Sequence, residues 1–174
     1  SARQDIYNTR DTDVTTPGTD LDETVTATRF FPQVNIQASY PMAKSMQKMQ
    51  ATIEPIISAT IAPNIDVNDD IPNEDSQDVQ IDSSNIFEPD RFPGLDRVED
   101  QSRVTYGMRA GLYGYNGSHG DVFLGQSRRL QEDDNPFPAG SGLDHQNSDI
   151  VGQVSAVIGG TYDLNYRFEV QSDT

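Results

Sequence analysis

The chain has 174 residues, a formal net charge of −16, no cysteine, and hydrophobic residues at only 34%. Lack of cysteine excludes a disulfide framework and a thiolate metal site, and the strong negative charge argues against recognition of nucleic-acid phosphates, which needs a basic face. No apolar run approaches the ~18 residues of a membrane-spanning helix. No N-terminal signal peptide is legible, and Ser1-Ala-Arg-Gln-Asp5 reads like mid-chain sequence, as if the start were processed or cut.

Residues 2–10 read as a weak strand and 11–24 as a polar loop with Pro17-Gly18. Residues 25–40 read as a long strand, clearest where Val34, Ile36, Ala38 and Tyr40 alternate with Gln33, Asn35, Gln37 and Ser39. Pro41 is expected to end it, with a short connection over 41–47. Residues 48–62 alternate again, Met49, Ala51, Ile53, Pro55, Ile57, Ala59 and Ile61 on one face, with Ile56 alone out of phase. Pro55 lacks a ladder donor, so a bulge or a local break in pairing is expected there. Loop 64–101 is far longer than the ~12–15 residues usual in compact domains, which marks it as functional or disordered.

Strand 102–114 follows. Val104, Tyr106, Met108, Ala110 and Leu112 share one face; Arg103, Thr105, Gly107, Arg109 and Gly111 share the other. A tight turn over 115–120 leads to strand 121–130, and loop 131–148 is again long and acidic. Strand 149–158 runs through the Gly159-Gly160 hairpin turn into strand 161–171, where Tyr162, Leu164, Tyr166, Phe168 and Val170 oppose Asp163, Asn165, Arg167, Glu169 and Gln171.

The fold class expected is all-β and antiparallel, with about seven up-and-down strands joined alternately by long and short connections. That alternation puts loops 11–24, 64–101 and 131–148, which hold most of the 28 acidic residues, at one end, and Lys44 and Lys48 at the other. Strands of this length with long loops on one side and short turns on the other suit a transmembrane outer-membrane β-barrel. A soluble β-sandwich with one wet face yields the same alternation. The strict alternation of loop lengths and polar faces rich in Gln, Asn, Ser, Thr and Gly favour the barrel. Seven strands are odd and too few for a wide lumen, so a partial barrel is expected: a curved open sheet whose strands 2–10 and 161–171 do not pair.

In the barrel reading Val104, Tyr106, Met108, Leu112, Leu164, Tyr166 and Phe168 face lipid. Glu54, Arg103, Arg109, Asp163, Arg167 and Glu169 face the lumen, where Arg103, Arg109 and Arg167 form a charge network with Asp163 and Glu169 or grip an anionic head group, since a guanidinium holds phosphate bidentately. Oxygen-rich loop positions Asp66, Asp69, Asp70, Glu74 and Asp75 are candidates to bind Ca²⁺ or Mg²⁺ at the surface. Asp66-x-Asn68-x-Asp70 resembles an EF-hand start, but Ile71 stands where that loop needs glycine, so this site is rejected. Asn116-Gly-Ser118 fits a glycosylation acceptor only formally. His119 and His145 are expected at opposite strand ends, which excludes a shared metal. No catalytic constellation is visible, and an enzyme is not expected.

Phe92-Pro-Gly-Leu-Asp-Arg-Val98 followed by Arg103-Val-Thr-Tyr-Gly-Met-Arg-Ala-Gly-Leu-Tyr113 resembles the barrel of the LptD (OstA/Imp) family of LPS-assembly outer-membrane proteins. Arg29-Phe-Phe-Pro-Gln33, Ile53-Glu-Pro55, Asn73-Glu-Asp-Ser-Gln-Asp78, and Val122-Phe-Leu-Gly-Gln126 with Asp133-Asp-Asn135 match in the same order. The resemblance covers almost the whole chain. It implies a middle portion of the family's C-terminal barrel in the outer membrane of a Gram-negative bacterium, with lipopolysaccharide as cargo. It also implies an LptE-like plug lipoprotein and a periplasmic Lpt bridge as partners. The family's periplasmic domain, its terminal strands that form the lateral exit and its disulfide cysteines have no counterpart here. A passive channel or receptor barrel of another family, or a soluble sandwich module, are the alternatives.

Overall fold

A computed structural model describes residues 2–10, 24–63, 79–94, 97–131 and 137–172. Nine strands carry all the regular structure among them: β1 (Ala2–Arg10), β2 (Thr24–Pro32), β3 (Val34–Ser39), β4 (Met42–Ser45), β5 (Met49–Ile61), β6 (Arg103–Gly114), β7 (His119–Arg129), β8 (Ile150–Ile158) and β9 (Tyr162–Val170). β1 pairs with β2 as a two-stranded ladder. The main sheet runs β3-β5-β6-β7-β8-β9, with β4 beside the start of β5. Every pairing is antiparallel. The sheet is an up-and-down meander, open at its edges: β9 pairs with β8 alone and β1 with β2 alone. The expectation that strands 2–10 and 161–171 do not pair therefore holds.

Proline accounts for where the outer strands divide. The long strand expected over 25–40 splits at Gln33, because Pro32 cannot donate to a ladder and the Gln33 side chain is drawn inward to donate to Pro89 O at 2.7 Å. Pro41 does not end the run: β4 continues it, so part of the connection expected over 41–47 is strand. The break expected at Pro55 lies on the β3/β4 side, with no bulge. Ser39 opposes Ile56 and Met42 opposes Ile53 in unchanged register, while Tyr40 N donates to Pro55 O at 3.1 Å. On the other side β5 pairs with β6 without interruption from Met49 to Thr60.

The register decides which side chains share a face. Ile53 opposes Ala110, Ala110 opposes Val122, Val122 opposes Val154, and Val154 opposes Tyr166. This row and its neighbours form one apolar face spanning the sheet. Nothing in the described chain covers it: Ile36 is 64% exposed, Ile57 54%, Leu112 53% and Leu164 60%. The polar face is the buried one. Residues 79–94 and 97–102, with 137–149, fold across it at the long-loop end of β6–β8. The described part of loop 64–101 is therefore a cover on the sheet and not a solvated rim.

The cover packs on the sheet through a core of Val79, Ile81, Ile86, Phe92, Phe137 and Leu143 with Phe123 of β7 and Val151 of β8, and Phe87 lies against it. Phe92 stacks on Phe137 with centroids 4.6 Å apart, and Phe87 meets Phe123 edge-on at 6.1 Å. Ile56, out of phase in the sequence, lies on this face opposite Gly107 and is buried. Two glycines directly opposed in β6 and β7, Gly107 and Gly125, make the flat seat on which the cover rests. A Cβ at Gly107 would lie 3.1 Å from the Phe87 ring and 2.8 Å from Leu124 O; one at Gly125 would lie 3.1 Å from Ile86 Cδ1. Gly125→Val should lift Ile86 off the sheet at a cost of about 1–3 kcal/mol. Hydrogen exchange should then quicken at amides of 81–94 while β8–β9 stay protected; unchanged exchange at 81–94 would contradict this packing.

Candidate functional site

The charged centre of the covered face is built by β6, β7 and the covering segment. Arg103 opens β6, and the register sets Arg129 of β7 directly opposite it. Two arginines side by side repel, so acceptors must come from elsewhere. Glu99, four residues before Arg103, supplies them. It is fully buried, takes both Nε and Nη2 of Arg91, and lies 2.9 Å from Arg103 Nη1. Arg103 Nη2 also donates to Glu88 O at 2.5 Å and Pro89 O at 2.8 Å, and Arg129 Nη1 donates to Gln101 Oε1 at 2.9 Å. Arg91 lies over the Phe137 ring at 5.3 Å, tying the second covering segment to the first. Arg91 Nη1 and Arg103 Nε are buried without a hydrogen-bond acceptor.

Two carboxyls in the cover titrate in opposite directions. Burial pushes the Glu99 carboxyl up, but the charges of Arg103 and Arg91 outweigh burial and hold it below the ordinary glutamate range. Burial raises Asp90 above the ordinary aspartate range, against the Phe92 N–H that lowers it, and the Glu99 charge adds to the rise.

The strands place all six sequence-identified polar candidates on this face, but not as one network. Arg103 is buried on Glu99. Arg109 reaches Glu54 at 3.5 Å in the open half of the face. Arg167 lies 3.6 Å from Asp82 of the cover, and Glu169 accepts from Gln80 at 3.0 Å. Asp163 is exposed opposite Val157, beside the β8–β9 turn. The strand cations thus pair mainly with the cover and not with strand acids. Val104, Tyr106, Met108, Leu112, Leu164, Tyr166 and Phe168 all lie on the bare apolar face. Asp66, Asp69, Asp70, Glu74 and Asp75 lie outside the described residues. His119 stacks on Tyr113 near the short turns, while His145 pairs with Asp144 at the other end, so the two stay apart.

Arg91, Glu99, Gln101 and Arg129 were not among the sequence candidates. The available signal was apolar residues scattered through acidic loops, Val79, Ile81, Ile86, Phe87, Phe92 and Val98 among them, which a solvated loop has no use for.

Glu99→Gln should destabilise the cover by about 3–5 kcal/mol, because it removes the carboxylate that both Arg91 and Arg103 pair with; exchange protection at 81–101 measures this. The pH dependence has two limbs. The Asp90 contribution is present below the ordinary aspartate range and is lost as pH rises through its raised folded value. The Glu99 contribution is present above the ordinary glutamate range and is lost as pH falls through its lowered value. Protection of the cover, corrected for intrinsic exchange, should therefore rise on mild acidification and collapse only at lower pH. A steady fall from neutral pH downward would contradict the assignment.

Comparison with known proteins agrees with this geometry. Residues 1–172 match the family described as LptD: LPS transport system D. The chain is 30% identical over 139 residues to the LPS-assembly protein LptD of Escherichia coli (strain K12), and equally to that of Shigella flexneri; the match covers 74% of this chain. It spans 17% of the length of those relatives. The chain belongs to the LptD family of LPS transport and assembly proteins.

Proposed function

We propose that this chain is an arc of an outer-membrane β-barrel that moves lipopolysaccharide to the outer leaflet of a Gram-negative cell, acting as a transport component and not as an enzyme. One observation carries the reading: the sheet is inside out. Its apolar face is bare, and the long-loop half of its polar face is buried beneath its own loops. A water-soluble sandwich buries the apolar face against a second sheet, whereas a barrel wall gives that face to lipid and the polar one to a lumen. Strands of 9 to 13 residues in β5–β9 are long enough to cross a bilayer at a tilt. Arg128 ends the bare face of β7 at the long-loop end and Lys44 lies on it at the short-turn end, so charge brackets the apolar band.

In this reading the cover narrows the lumen from the long-loop, cell-surface side. The open half of the polar face, with Glu54, Arg109 and Asn165, is left for cargo head groups or for an LptE-like lipoprotein, and the periplasmic Lpt bridge delivers lipid from the short-turn side.

Met108→Lys should cost about 2–4 kcal/mol of insertion free energy if it sits near the bilayer midplane, while Asn165→Lys on the opposite face should be nearly silent. Thr105 is unsuited as the polar-face control, because it is buried and donates to Ser127 Oγ at 3.1 Å. Depletion of the full-length protein should remove lipopolysaccharide from the cell surface, restored by wild type and Asn165→Lys but poorly by Met108→Lys. Normal surface lipopolysaccharide after depletion would point to a passive channel instead.

A further inference from the structure

The methionines of the chain are Met42, Met46, Met49 and Met108. Met42 of β4 opposes Ile53, Met49 opens β5, and Met108 of β6 opposes Leu124, so these three lie on the bare face. Met46 closes the β4–β5 hairpin. Its N–H donates to Met49 O at 2.8 Å across the turn Gln47-Lys48, so Met46 and Met49 stand directly opposite each other. Continuing the alternation of Met42 and Lys44 puts Met46 on the same side as Met49. Tyr115 N donates to Lys48 O at 3.2 Å, which holds this hairpin tip against the next short turn.

The four methionines differ in depth and not in exposure. The protein leaves them almost equally open: Met42 is 42% exposed, Met46 40%, Met49 39% and Met108 41%. Met108 sits opposite Pro55, in the middle of β5. From Pro55 to Met49 the strand covers ~20 Å, at ~3.3 Å per residue. Lys44 marks the boundary between the two levels. It lies on the bare face opposite Ala51, between Met42 and the hairpin tip, and an ammonium is costly in hydrocarbon and reaches for the interface. In the barrel reading, Met42 and Met108 are on the lipid side of Lys44, and Met46 and Met49 are on the water side.

The chain has no cysteine, so these thioethers are its sulfur groups open to oxidation. We propose that the Met46–Met49 pair is a modification site, converted to methionine sulfoxide by chloramine oxidants dissolved in the water at the periplasmic border, while lipid shields Met108. The proposal rests on the barrel reading, which supplies the lipid. The sulfur lone pair takes chlorine from the chloramine nitrogen, and the departing amine takes a proton from water. The hydroxide left behind displaces chloride at sulfur and loses its proton. Sulfur gives up two electrons, an S–O bond forms, the N–Cl bond breaks, and the products are sulfoxide, free amine, chloride and a proton. A sulfoxide is polar, so it suits the water side of Lys44 and is out of place at Met108. The pair can therefore be oxidised, and restored by methionine sulfoxide reductases, without loosening the wall.

Peptide mass spectrometry of the full-length protein in lipid nanodiscs, which leave both membrane faces open, tests this. The probe is N-chlorotaurine, an anion that stays in water. Met46 and Met49 should oxidise at least about fivefold faster than Met108, and after unfolding in urea all four should react within about twofold of one another. Met46→Leu with Met49→Leu should remove the fast phase, and oxidised wild type should stay in the disc. If Met46 and Met49 react as slowly as Met108 in discs, the site is wrong and the barrel reading stands. If Met108 reacts as fast as the pair, water reaches the bare face and both fall together. Release of the oxidised protein from the disc would overturn the claim that the wall tolerates the change.

Discussion

The structure depends on one stereochemical constraint: a strand sends successive side chains to opposite sides, and antiparallel pairing at fixed register carries that choice from strand to strand. Once Met108 opposes Leu124 and Ala110 opposes Val122, the row from Ile53 through Ala110, Val122 and Val154 to Tyr166 falls on one side, and Ile56, Phe123 and Val151 fall on the other. A slip of one residue in any ladder would put leucines among arginines. The alternation leaves one side of this sheet apolar and bare and the other polar and partly covered. β9 stands at the edge of the sheet and pairs with β8 alone among the described strands.

The covering segments follow from the polar face. A β-strand face of Thr, Ser, Gly and Arg offers little hydrophobic drive, so a loop that lies on it must bring its own apolar residues and satisfy the arginines beneath. Residues 79–101 do both. Ile86 and Phe87 settle on the glycine seat, Phe92 stacks on Phe137 of the second loop, and Glu99 neutralises Arg91 and Arg103 in a place without water. Buried ion pairs are weak contributors to net stability but strong determinants of arrangement. Here the pair fixes where the cover sits along β6, since Glu99 precedes Arg103 by only four residues and the cover cannot shift without separating them.

Much of the sheet was legible in the sequence, because a strand records its faces locally. β6 and β9 show their two sides in consecutive residues, and the Gly159-Gly160 turn is written in two glycines that both adopt positive φ. What was not legible depends on partners far along the chain. Ile56 looks like an error of phase until the cover is placed over it. Gln33 looks like an ordinary strand position until Pro89 is found beside it, 56 residues away. The Arg91–Glu99–Arg103 centre has no motif, because its geometry comes from a loop folding back on the sheet. Arg167 and Glu169 of β9 meet Asp82 and Gln80, which lie in a stretch that reads as solvent-exposed acid.

The central claim is that the bare apolar face meets hydrocarbon. Lipid-embedded quenching measures this directly. With an environment-sensitive fluorophore attached singly at engineered cysteines in the full-length protein, reconstituted with acyl-chain doxyl lipids, labels at Met108 and Leu164 should be strongly quenched. Labels at Arg109 and Asn165, one residue along on the other face, should be quenched little. Equal quenching at neighbouring positions, or quenching confined to Arg109 and Asn165, would contradict the account.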